Sequence, residues 1–449
     1  MICSHFAPDN SIAAVRITKF AKCFYKNGYE VTVIAEAGAV LLEDEILKKD
    51  AQGIKVIRVE NTKKAKKILQ LYSKVIIPLR KKQYDNLDNR IRINPKTGKK
   101  EFYPFETAYP FWGSLDYLIQ IYRQYDLSCQ TKKHIKLMKG MDCLFTSYGD
   151  HISILAGRYF KKINPIAPWI FDIRDPICRY KFTPKYVMWI AKLFEQYMWR
   201  KADAITAVSK GLCRRVSKKY RHKVICVTNG YDKDDRKDIL YSAKDKAKLK
   251  FAYTGAMYGG LQDLSAVFSA LRRLINANNI KKEEIEFNFA GKESPFIIFK
   301  SQAEKYDLGD RCIYQGRLER KDSLKLQMES DILLVSSFDY QANEGGVITG
   351  KALEYMSANK PIIAVINGDI EHSELAEIIR KANLGCVYEE AHHEKDSQNL
   401  YYYLWEKYKE YKSDGCIKHN PNQEILRRFD YRYLGKKMLW VVDKVCEGR

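Results

Sequence analysis

Two adjacent glycines, a lysine and a glutamate lie close together in the segment GGVITGKALEY. Gly345 and Gly346 would let the backbone approach a ligand closely, and the pattern after them predicts a helix beginning near Gly350. The N–H groups at the start of that helix and the side chain of Lys351 favour an anion. Glu354 lies one turn later on the same face and could accept hydrogen bonds from sugar hydroxyls. This chemistry suits a nucleotide diphosphate; the alternative, which spacing alone favours, is a tight strand–helix turn with a surface Lys–Glu pair.

A second group of charged residues stands in the segment WIFDIRDP. Asp172, Arg174 and Asp175 lie at the carboxyl end of a predicted strand, where α/β sheets place their ligands. The alternative is a salt-bridged loop at the surface, because Asp–Arg pairs are common there.

Two stretches of the chain alternate short β-branched runs with amphipathic helical patterns, which predicts parallel sheets. The economical interpretation is an α/β fold of two doubly wound domains, residues 1–235 and 248–415, joined near 229–248. A further helix is predicted over 422–446, which could pack on its own domain or cross back to the first. Residues from about 62 to 140 form an insertion rich in Lys, Arg and Tyr.

The 449-residue chain has a formal charge of +23, which implies an anionic partner: nucleic acid, a phospholipid surface or a phosphorylated substrate. It carries no helix-turn-helix, zinc-finger or RNA-recognition signature, so nucleic acid is not expected. The composition, 46% hydrophobic and 30% charged, excludes collagen-like and disordered classes. No apolar run approaches 18 residues and the start lacks the apolar stretch of a signal peptide, so we expect a cytoplasmic protein. The eleven scattered cysteines indicate reduced thiols rather than disulfides or a zinc site.

The segment around Glu354 resembles the donor-binding signature of the retaining family 4 glycosyltransferases, which have the GT-B fold of two Rossmann-like domains facing across a cleft. The matching residues are Thr349-Gly350-Lys351, Glu354-Tyr355-Met356 and Lys360-Pro361-Ile362. The resemblance implies that Glu354 binds the donor ribose. It also assigns the preceding residues to the leaving diphosphate, namely Gly346, Val347, Thr349, Gly350 and Lys351. The family often has an acidic residue eight positions before the glutamate; Gly346 stands there in this chain, and Glu344 is the substitute candidate.

Other segments resemble the family in the same order along the chain. FAYTGAMYGGLQD resembles the first strand and glycine loop of the donor domain and includes Gly255. Many relatives have Arg and Lys in that loop, whereas this chain has Ala256 and Gly260. The resemblance therefore leaves the cationic role to Lys351 and Arg317.

Arg317 ends a predicted strand, and by the same analogy it and Leu318 lie near the pocket of the base. At the amino end, Arg16 keeps the family's basic position and could reach the donor phosphates across the cleft. WIFDIRDP resembles an Asp-Phe-Arg-Asp-Pro-Trp motif, which places Asp172, Arg174 and Asp175 at the cleft on the acceptor side. Asp172 is then the first candidate for orienting or deprotonating the acceptor, and His151 is the second, with a helix-start residue as the alternative for His151.

The function that the resemblance implies is transfer of a sugar from a nucleotide-sugar to an acceptor hydroxyl with retention of configuration, without a cofactor or an obligatory metal. A glycan or lipid-linked acceptor fits, as in the assembly of cell-surface polysaccharide or glycolipid. The alternatives are a GT-B scaffold that has lost activity, a nucleic-acid-binding protein and a nucleotide-sugar epimerase on the same fold.

The insertion combines basic clusters with apolar and aromatic residues, which suits peripheral binding to an anionic membrane on its inner face. The clusters are Lys63–Lys67, Arg80–Lys82 and Lys132–Lys133, with Tyr72, Ile76, Ile77 and Trp112 nearby. The alternative is a solvated basic face that keeps the protein soluble.

Overall fold

The computed structural model divides the chain into two compact units. Unit 1 is Met1–Thr228 together with Gly435–Arg449, and unit 2 is Asn229–Leu434. The structure describes residues 1–38, 43–84, 91–93, 100–102, 110–137, 139–148, 152–176, 185–240, 247–258, 261–338 and 345–447.

Unit 1 is built on a parallel sheet of seven strands in the order β3-β2-β1-β6-β7-β8-β9. Its strands, with a separate hairpin β4–β5, are β1 Ile2–Cys3, β2 Thr32–Glu36, β3 Lys55–Val59, β4 Ile91–Ile93, β5 Lys100–Phe102, β6 Leu144–Tyr148, β7 Trp169–Ile173, β8 Ala204–Ala207 and β9 Val224–Cys226. Its helices up to residue 228 are α1 Ile12–Lys26, α2 Glu45–Asp50, α3 Lys63–Tyr84, α4 Pro110–Leu137, α5 Ile152–Ile163, α6 Lys185–Lys201 and α7 Lys210–Arg215. Every residue of β7 is buried, as expected for a parallel strand that is covered on both faces.

The predicted insertion contains the two long helices α3 and α4 and the antiparallel hairpin β4–β5. The hydroxyl of Tyr72 on α3 donates to the carboxylate of Asp116 on α4. Directly before α3, the backbone N–H and the hydroxyl of Thr62 donate to the carboxylate of Asp126 on α4 at 2.8 and 2.9 Å. These contacts pair the start of α3 with the later turns of α4, so the two helices run antiparallel.

Unit 2 is built on a parallel sheet of six strands in the order β12-β11-β10-β13-β14-β15. The strands are β10 Leu249–Thr254, β11 Ile285–Ala290, β12 Cys312–Tyr314, β13 Ile332–Phe338, β14 Ile362–Asn367 and β15 Gly385–Glu389. The helices are α8 Ser265–Asn276, α9 Glu293–Glu304, α10 Arg320–Glu329, α11 Gly350–Tyr355, α12 Glu374–Lys381, α13 His393–Asp414 and α14 Gln423–Arg427. Two doubly wound parallel sheets in series confirm the fold class expected from the sequence.

The single helix predicted over 422–446 is two helices, α14 and α15 Tyr431–Glu447. Between them, the N–H of Tyr231 donates to the carbonyl of Phe429, and the N–H of Tyr431 donates to the carbonyl of Tyr231, both at 2.9 Å. These two hydrogen bonds occupy the carbonyl of Phe429 and the N–H of Tyr431, which would otherwise bond within a helix. They therefore interrupt the helix. None of the helices within the described ranges is both long and apolar enough to cross a membrane.

Candidate functional site

The candidate site lies in unit 2 at the point where the strand order reverses. β10 and β13 are neighbours in the sheet, and from them the order runs in opposite directions, to β11 and to β14. Ligands of α/β sheets bind outside the carboxyl ends of the strands at such a switch point. Gly255 directly follows β10 there, and residues 345–349 lead into α11 from the connection that follows β13.

The glycine pair before α11 is fixed by its backbone. Gly345 and Gly346 have φ angles of +78° and +77°, a region that glycine adopts without the penalty a side chain brings. The carbonyl of Gly345 accepts a hydrogen bond from the N–H of Glu374 at 2.8 Å, and the N–H of Val347 donates to the last residue of β13 at 3.2 Å. A Cβ atom on Gly346 would lie 3.2 Å from Cδ1 of Ile370. The loop is thus held between β13 and α12.

The helix predicted to begin near Gly350 begins there. Thr349 is its N-cap residue, and the Thr349 hydroxyl accepts a hydrogen bond from the N–H of Ala352 at 3.4 Å. The cap fixes the residue at which the helical backbone starts, and therefore which side chains stand on the first turn of α11.

Glu354 presents a partly exposed carboxylate whose two oxygens have different partners. Its Oε1 accepts a hydrogen bond from Nε2 of Gln327 at 2.8 Å, and its Oε2 lies 3.4 Å from Nη2 of Arg320. Arg320 is shared, because the same Nη2 lies 3.0 Å from Oδ2 of Asp235. About a quarter of the Glu354 side chain, 25%, remains accessible. The carboxylate is therefore oriented by protein groups and still able to accept hydrogen bonds from a ligand.

Arg236 fixes the backbone beneath this carboxylate. Its guanidinium donates to the carbonyl of Glu354 at 3.3 Å, to the hydroxyl of Ser357 at 2.6 Å and to the carbonyl of Leu324 at 2.8 Å. Burial lowers the pKa of Arg236 to about 10, so the group stays charged at neutral pH. Arg236 thereby joins α10 to α11, the two helices that carry the Glu354 cluster.

The Lys351 side chain, which was predicted to supply a cation at the helix start, makes its contacts with the loop after β10. Its ammonium donates to the carbonyl of Ala256 and lies 4.8 Å from the centre of the Tyr253 ring. A Cβ atom on Gly255 would lie 3.4 Å from Cε of Lys351, so the glycine makes room for the lysine stem. Burial lowers the pKa of Lys351 to about 8, although Glu354 acts to raise it. The Lys351 ammonium thus joins the start of α11 to the loop after β10.

Arg317 and Leu318 lie in the loop between β12 and α10, because the strand ends at Tyr314 rather than at Arg317 as predicted. Arg317 is exposed and Leu318 is half-buried. The carbonyl of the preceding Gly316 accepts a hydrogen bond from the N–H of Gly291 at 2.9 Å. The loop that carries Arg317 therefore leads directly into the helix that supplies Arg320 and Gln327.

The predicted roles of Asp172 and Arg16 are wrong as their side chains are placed. Both belong to unit 1, and neither side chain has solvent-exposed area (0% each). The Arg16 guanidinium donates to both carboxylate oxygens of Asp172, at 3.0 and 2.7 Å. The hydroxyls of Ser147 and Thr206 donate to the same carboxylate at 3.0 and 2.7 Å. The Asp172 carboxylate is thus enclosed by four hydrogen bonds, and the Arg16 guanidinium is committed to partners within unit 1.

The other predicted cleft residues differ among themselves. Arg174 is half-buried and donates to the backbone carbonyls of Tyr148 and Ala13 at 3.2 and 3.0 Å, whereas Asp175 is exposed. Arg174 is therefore engaged in holding backbone. His151 and Glu344 lie outside the described residues.

Sequence reasoning missed four residues of the Glu354 cluster, namely Asp235, Arg236, Arg320 and Gln327. Arg320 and Gln327 are seven positions apart on α10, which places them on one face, but no helix was predicted there from the sequence. Asp235 and Arg236 carried no comparable signal, because they stand in a run of alternating charges that also describes a solvated turn.

Residues 232–404, most of unit 2, match the family model described as glycosyl transferases group 1. No curated protein sequence gives a significant match to the chain. Among solved structures, an α,α-trehalose-phosphate synthase (UDP-forming) from Burkholderia vietnamiensis is similar with a TM-score of 0.61 and 10% identity over 100% of this chain and 99% of that chain. A sucrose-phosphate synthase from Thermosynechococcus elongatus gives 0.57 and 12%, also over 100% and 99%.

A lipopolysaccharide outer core galactosyltransferase is similar with a TM-score of 0.52 and 13% identity, over 98% of this chain and 99% of that chain. At these identities the structural likeness shows the fold, which is that of the GT-B glycosyltransferases. Together with the family match over unit 2, it supports placing the chain in the GT-B glycosyltransferase superfamily. The family match includes the segment around Glu354, where the sequence motifs indicated the resemblance.

Proposed function

We propose that this protein is a retaining glycosyltransferase that moves a sugar from a nucleotide-sugar to an acceptor hydroxyl, with unit 2 binding the donor. The observation that carries the proposal is the Glu354 carboxylate. It is oriented by Gln327 and Arg320, partly exposed, and located at the switch point of the sheet inside the region that matches the family model. A similar solved structure is named as a UDP-forming synthase, which supports a nucleotide-sugar as the donor class.

In this proposal the carboxylate of Glu354 accepts hydrogen bonds from the ribose hydroxyls. When the bond between the sugar and the diphosphate breaks, negative charge develops on the leaving oxygen and must be stabilised. Lys351, at the loop after β10, and the exposed Arg317 supply positive charge, and residues 346–350 supply backbone N–H groups. The acceptor oxygen forms the new bond on the face from which the diphosphate departs, and its proton passes to the departing diphosphate oxygen. The configuration is then retained without a protein nucleophile.

The acceptor is a glycan or a lipid-linked sugar of cell-surface polysaccharide or glycolipid assembly, and the basic insertion is consistent with an anionic acceptor. The transfer requires no divalent metal, because the cations of unit 2 compensate the diphosphate. Measuring turnover with and without a chelator, and the anomeric configuration of the product by NMR, tests both statements.

The first experiment is thermal unfolding in the presence of nucleoside diphosphates and nucleotide-sugars. A ligand at about 100 times its Kd stabilises the folded state by about 2.7 kcal/mol. For a unit of about 200 residues this raises the melting temperature by roughly 5–10 °C. Glu354→Gln should lose this shift, because an amide is a weaker acceptor and no longer pairs with Arg320.

Glu406→Gln is the matched control, since Glu406 is an exposed residue of α13 paired with Lys409 at 2.6 Å. This variant should keep the full shift. Absence of any shift with all nucleotides in the wild-type protein would refute donor binding. Binding without turnover on any acceptor would favour a GT-B scaffold that has lost activity.

A further inference from the structure

Helices α3 and α4 of unit 1 each expose a row of large apolar side chains. On α3 the row is Ile68, Leu71, Val75 and Leu79, between 37% and 66% exposed. At 3.6 residues per turn, these four positions fall within about 80° of arc around the helix. An ordinary surface helix buries its apolar stripe, so a second, exposed stripe is an additional feature.

On α4 the exposed row is Phe111, Leu118 and Tyr125, between 55% and 73% exposed. The members are spaced by seven residues, which places them within about 40° of arc. The acidic residues Asp116 and Asp126 of the same helix lie elsewhere on its circumference, since both are hydrogen-bonded toward α3.

The two rows lie side by side. Around α3, the exposed row is about 65° from the line of Ala65 and Tyr72, which faces α4. Around α4, the exposed row is about 120° from the line of Asp116 and Asp126, which faces α3. Viewed from the N-terminus of each helix, both rotations have the same sense. Because the helices are antiparallel, rotations of the same sense turn the two rows toward the same side of the pair. The result is one apolar surface formed by both helices, which we call the paired-helix surface.

The charge that borders this surface is positive. Lys67 and Lys74 are exposed and lie within about 60° of the edge of the α3 row, and Lys64 lies within its arc. The sequence of α3, KKAKKILQLYSKVIIPLRKKQY, contains no acidic residue. An exposed apolar row next to lysines is the pattern of helices that lie in the interface of an anionic membrane.

We infer that the paired-helix surface docks on an anionic lipid bilayer, with the apolar rows entering the headgroup boundary and the lysines contacting lipid phosphates. The inference does not depend on sugar transfer. It also corrects the residues that the sequence suggested for membrane contact. Tyr72, Ile76 and Trp112 are half-buried, and Ile77 lies on the opposite side of α3 from the row. The exposed row is instead Ile68, Leu71, Val75 and Leu79. A protein partner is disfavoured because lysines border the apolar rows, and Lys is depleted in protein interfaces.

The test is co-sedimentation of the full chain, without nucleotide, with vesicles of phosphatidylcholine containing phosphatidylglycerol and with vesicles of phosphatidylcholine alone. We expect at least about tenfold stronger binding to the anionic vesicles. Lys67→Glu and Leu71→Gln should each weaken that binding about fivefold or more, through lost charge attraction and lost apolar insertion respectively.

Two controls on the same helix match these changes. Lys66→Glu makes the same charge change at a lysine that pairs with Glu60, and Ile77→Gln makes a matched change at an exposed residue; both lie on the opposite side of α3 from the row. Both controls should bind almost as the wild type does, and thermal unfolding should show all four variants folded.

Three results would overturn the inference. The first is failure of the wild type to bind anionic vesicles. The second is equal loss of binding in Lys66→Glu and Lys67→Glu, with Leu71→Gln unaffected, which would mean attraction by net charge alone. The third is a concentration-dependent dimer that Leu71→Gln disperses, which would make the surface an interface between copies of this chain.

Discussion

Lys351 is a half-buried cation that pairs with a neutral carbonyl. Desolvation favours its uncharged form, which is why its pKa falls to about 8. A bound diphosphate would bring negative charge close to the Lys351 ammonium and would favour the charged form of the lysine. The proposed donor site therefore contains a residue whose charge depends on pH close to the neutral range.

We predict that nucleoside diphosphate affinity is highest below pH 8 and falls above it. The sign follows from linkage: the diphosphate binds the protonated lysine, the free protein loses that proton above about pH 8, and affinity then drops by up to about tenfold per pH unit. Titration of Kd from pH 7 to 9.5 measures the effect. Lys351→Arg should remove the drop because a guanidinium stays charged. A flat wild-type profile would exclude Lys351 from the diphosphate site.

At the residue scale, the sequence identified residues that are related by local spacing, but not the contacts that these residues make. Lys351 and Glu354 were recognised because three positions on a helix share a face. Arg320 was missed because its partner Asp235 is 85 positions away, and no local pattern records that pair. Asp172 was misassigned for the same reason, since its strand-end position is visible in the sequence but its burial against Arg16, 156 positions away, is not.

Arg16 is the residue that ties three elements of unit 1 together. Its guanidinium joins α1 to Asp172 on β7, and it donates to the carbonyls of Val227 and Thr228, after β9, at 2.8 Å each. It also lies 4.7 Å from the centre of the Phe20 ring on its own helix. Burial alone would raise the pKa of Asp172, but the charge and hydrogen bonds of Arg16 and the bond from Thr206 outweigh it, so that the pKa is lowered.

We predict that Asp172→Asn lowers the free energy of unfolding of unit 1 by about 3 kcal/mol or more, because it leaves the Arg16 charge buried without its counterion. Urea denaturation at pH 7 measures the change. Glu60→Gln, which breaks the exposed pair with Lys66, should cost less than about 1 kcal/mol. The contribution of Asp172 is present above its unfolded pKa of about 4 and is lost as the pH falls through the lower folded value.

The wild type should therefore lose more stability than Asp172→Asn in acid, and the two curves should converge only as the pH falls through the lowered folded-state pKa of Asp172. Equal stabilities at pH 7 would mean that the buried pair is replaceable, and the role assigned to it here would be wrong.

At the element scale, the sequence predicted strands more accurately than it predicted the point where a helix is interrupted. The strand predicted in WIFDIRDP is β7, because a short apolar run in an α/β chain favours a buried strand. The predicted helix over 422–446 keeps its apolar periodicity through the break at Phe429–Tyr431, so the pattern gave no sign of it. The break depends on backbone bonds to Tyr231, which lies about 200 positions earlier.

At the scale of the whole chain, unit 1 is made from both ends of the sequence. Gly435–Arg449 belongs to it, while the intervening residues build unit 2. The Tyr29 hydroxyl donates to the carboxylate of Asp443, and a Cβ atom on Gly435 would lie 2.5 Å from Sγ of Cys23, so α1 and the last helix are in close contact. Three side chains of this helix are fully or nearly fully buried: Met438, Val441 and Val442.

We predict that deleting residues 435–449 destabilises unit 1 and leaves the folded core of unit 2 intact. Removing three buried apolar side chains costs about 2 kcal/mol each at least, which is a large part of the stability of one domain. Hydrogen exchange read peptide by peptide should show faster exchange in β1, β2 and α1, with β10, β13 and β14 unchanged.

Two point variants separate packing from mere shortening of the chain. Met438→Ala should reproduce the faster exchange in part, with a cost of about 2–5 kcal/mol for a buried methionine. Lys436→Ala, at an exposed position of the same helix, should leave it unchanged. If the deletion instead accelerated exchange throughout β10–β15, the terminal segment would be part of the stability of unit 2, and the assignment of the last helix to unit 1 would have to be abandoned.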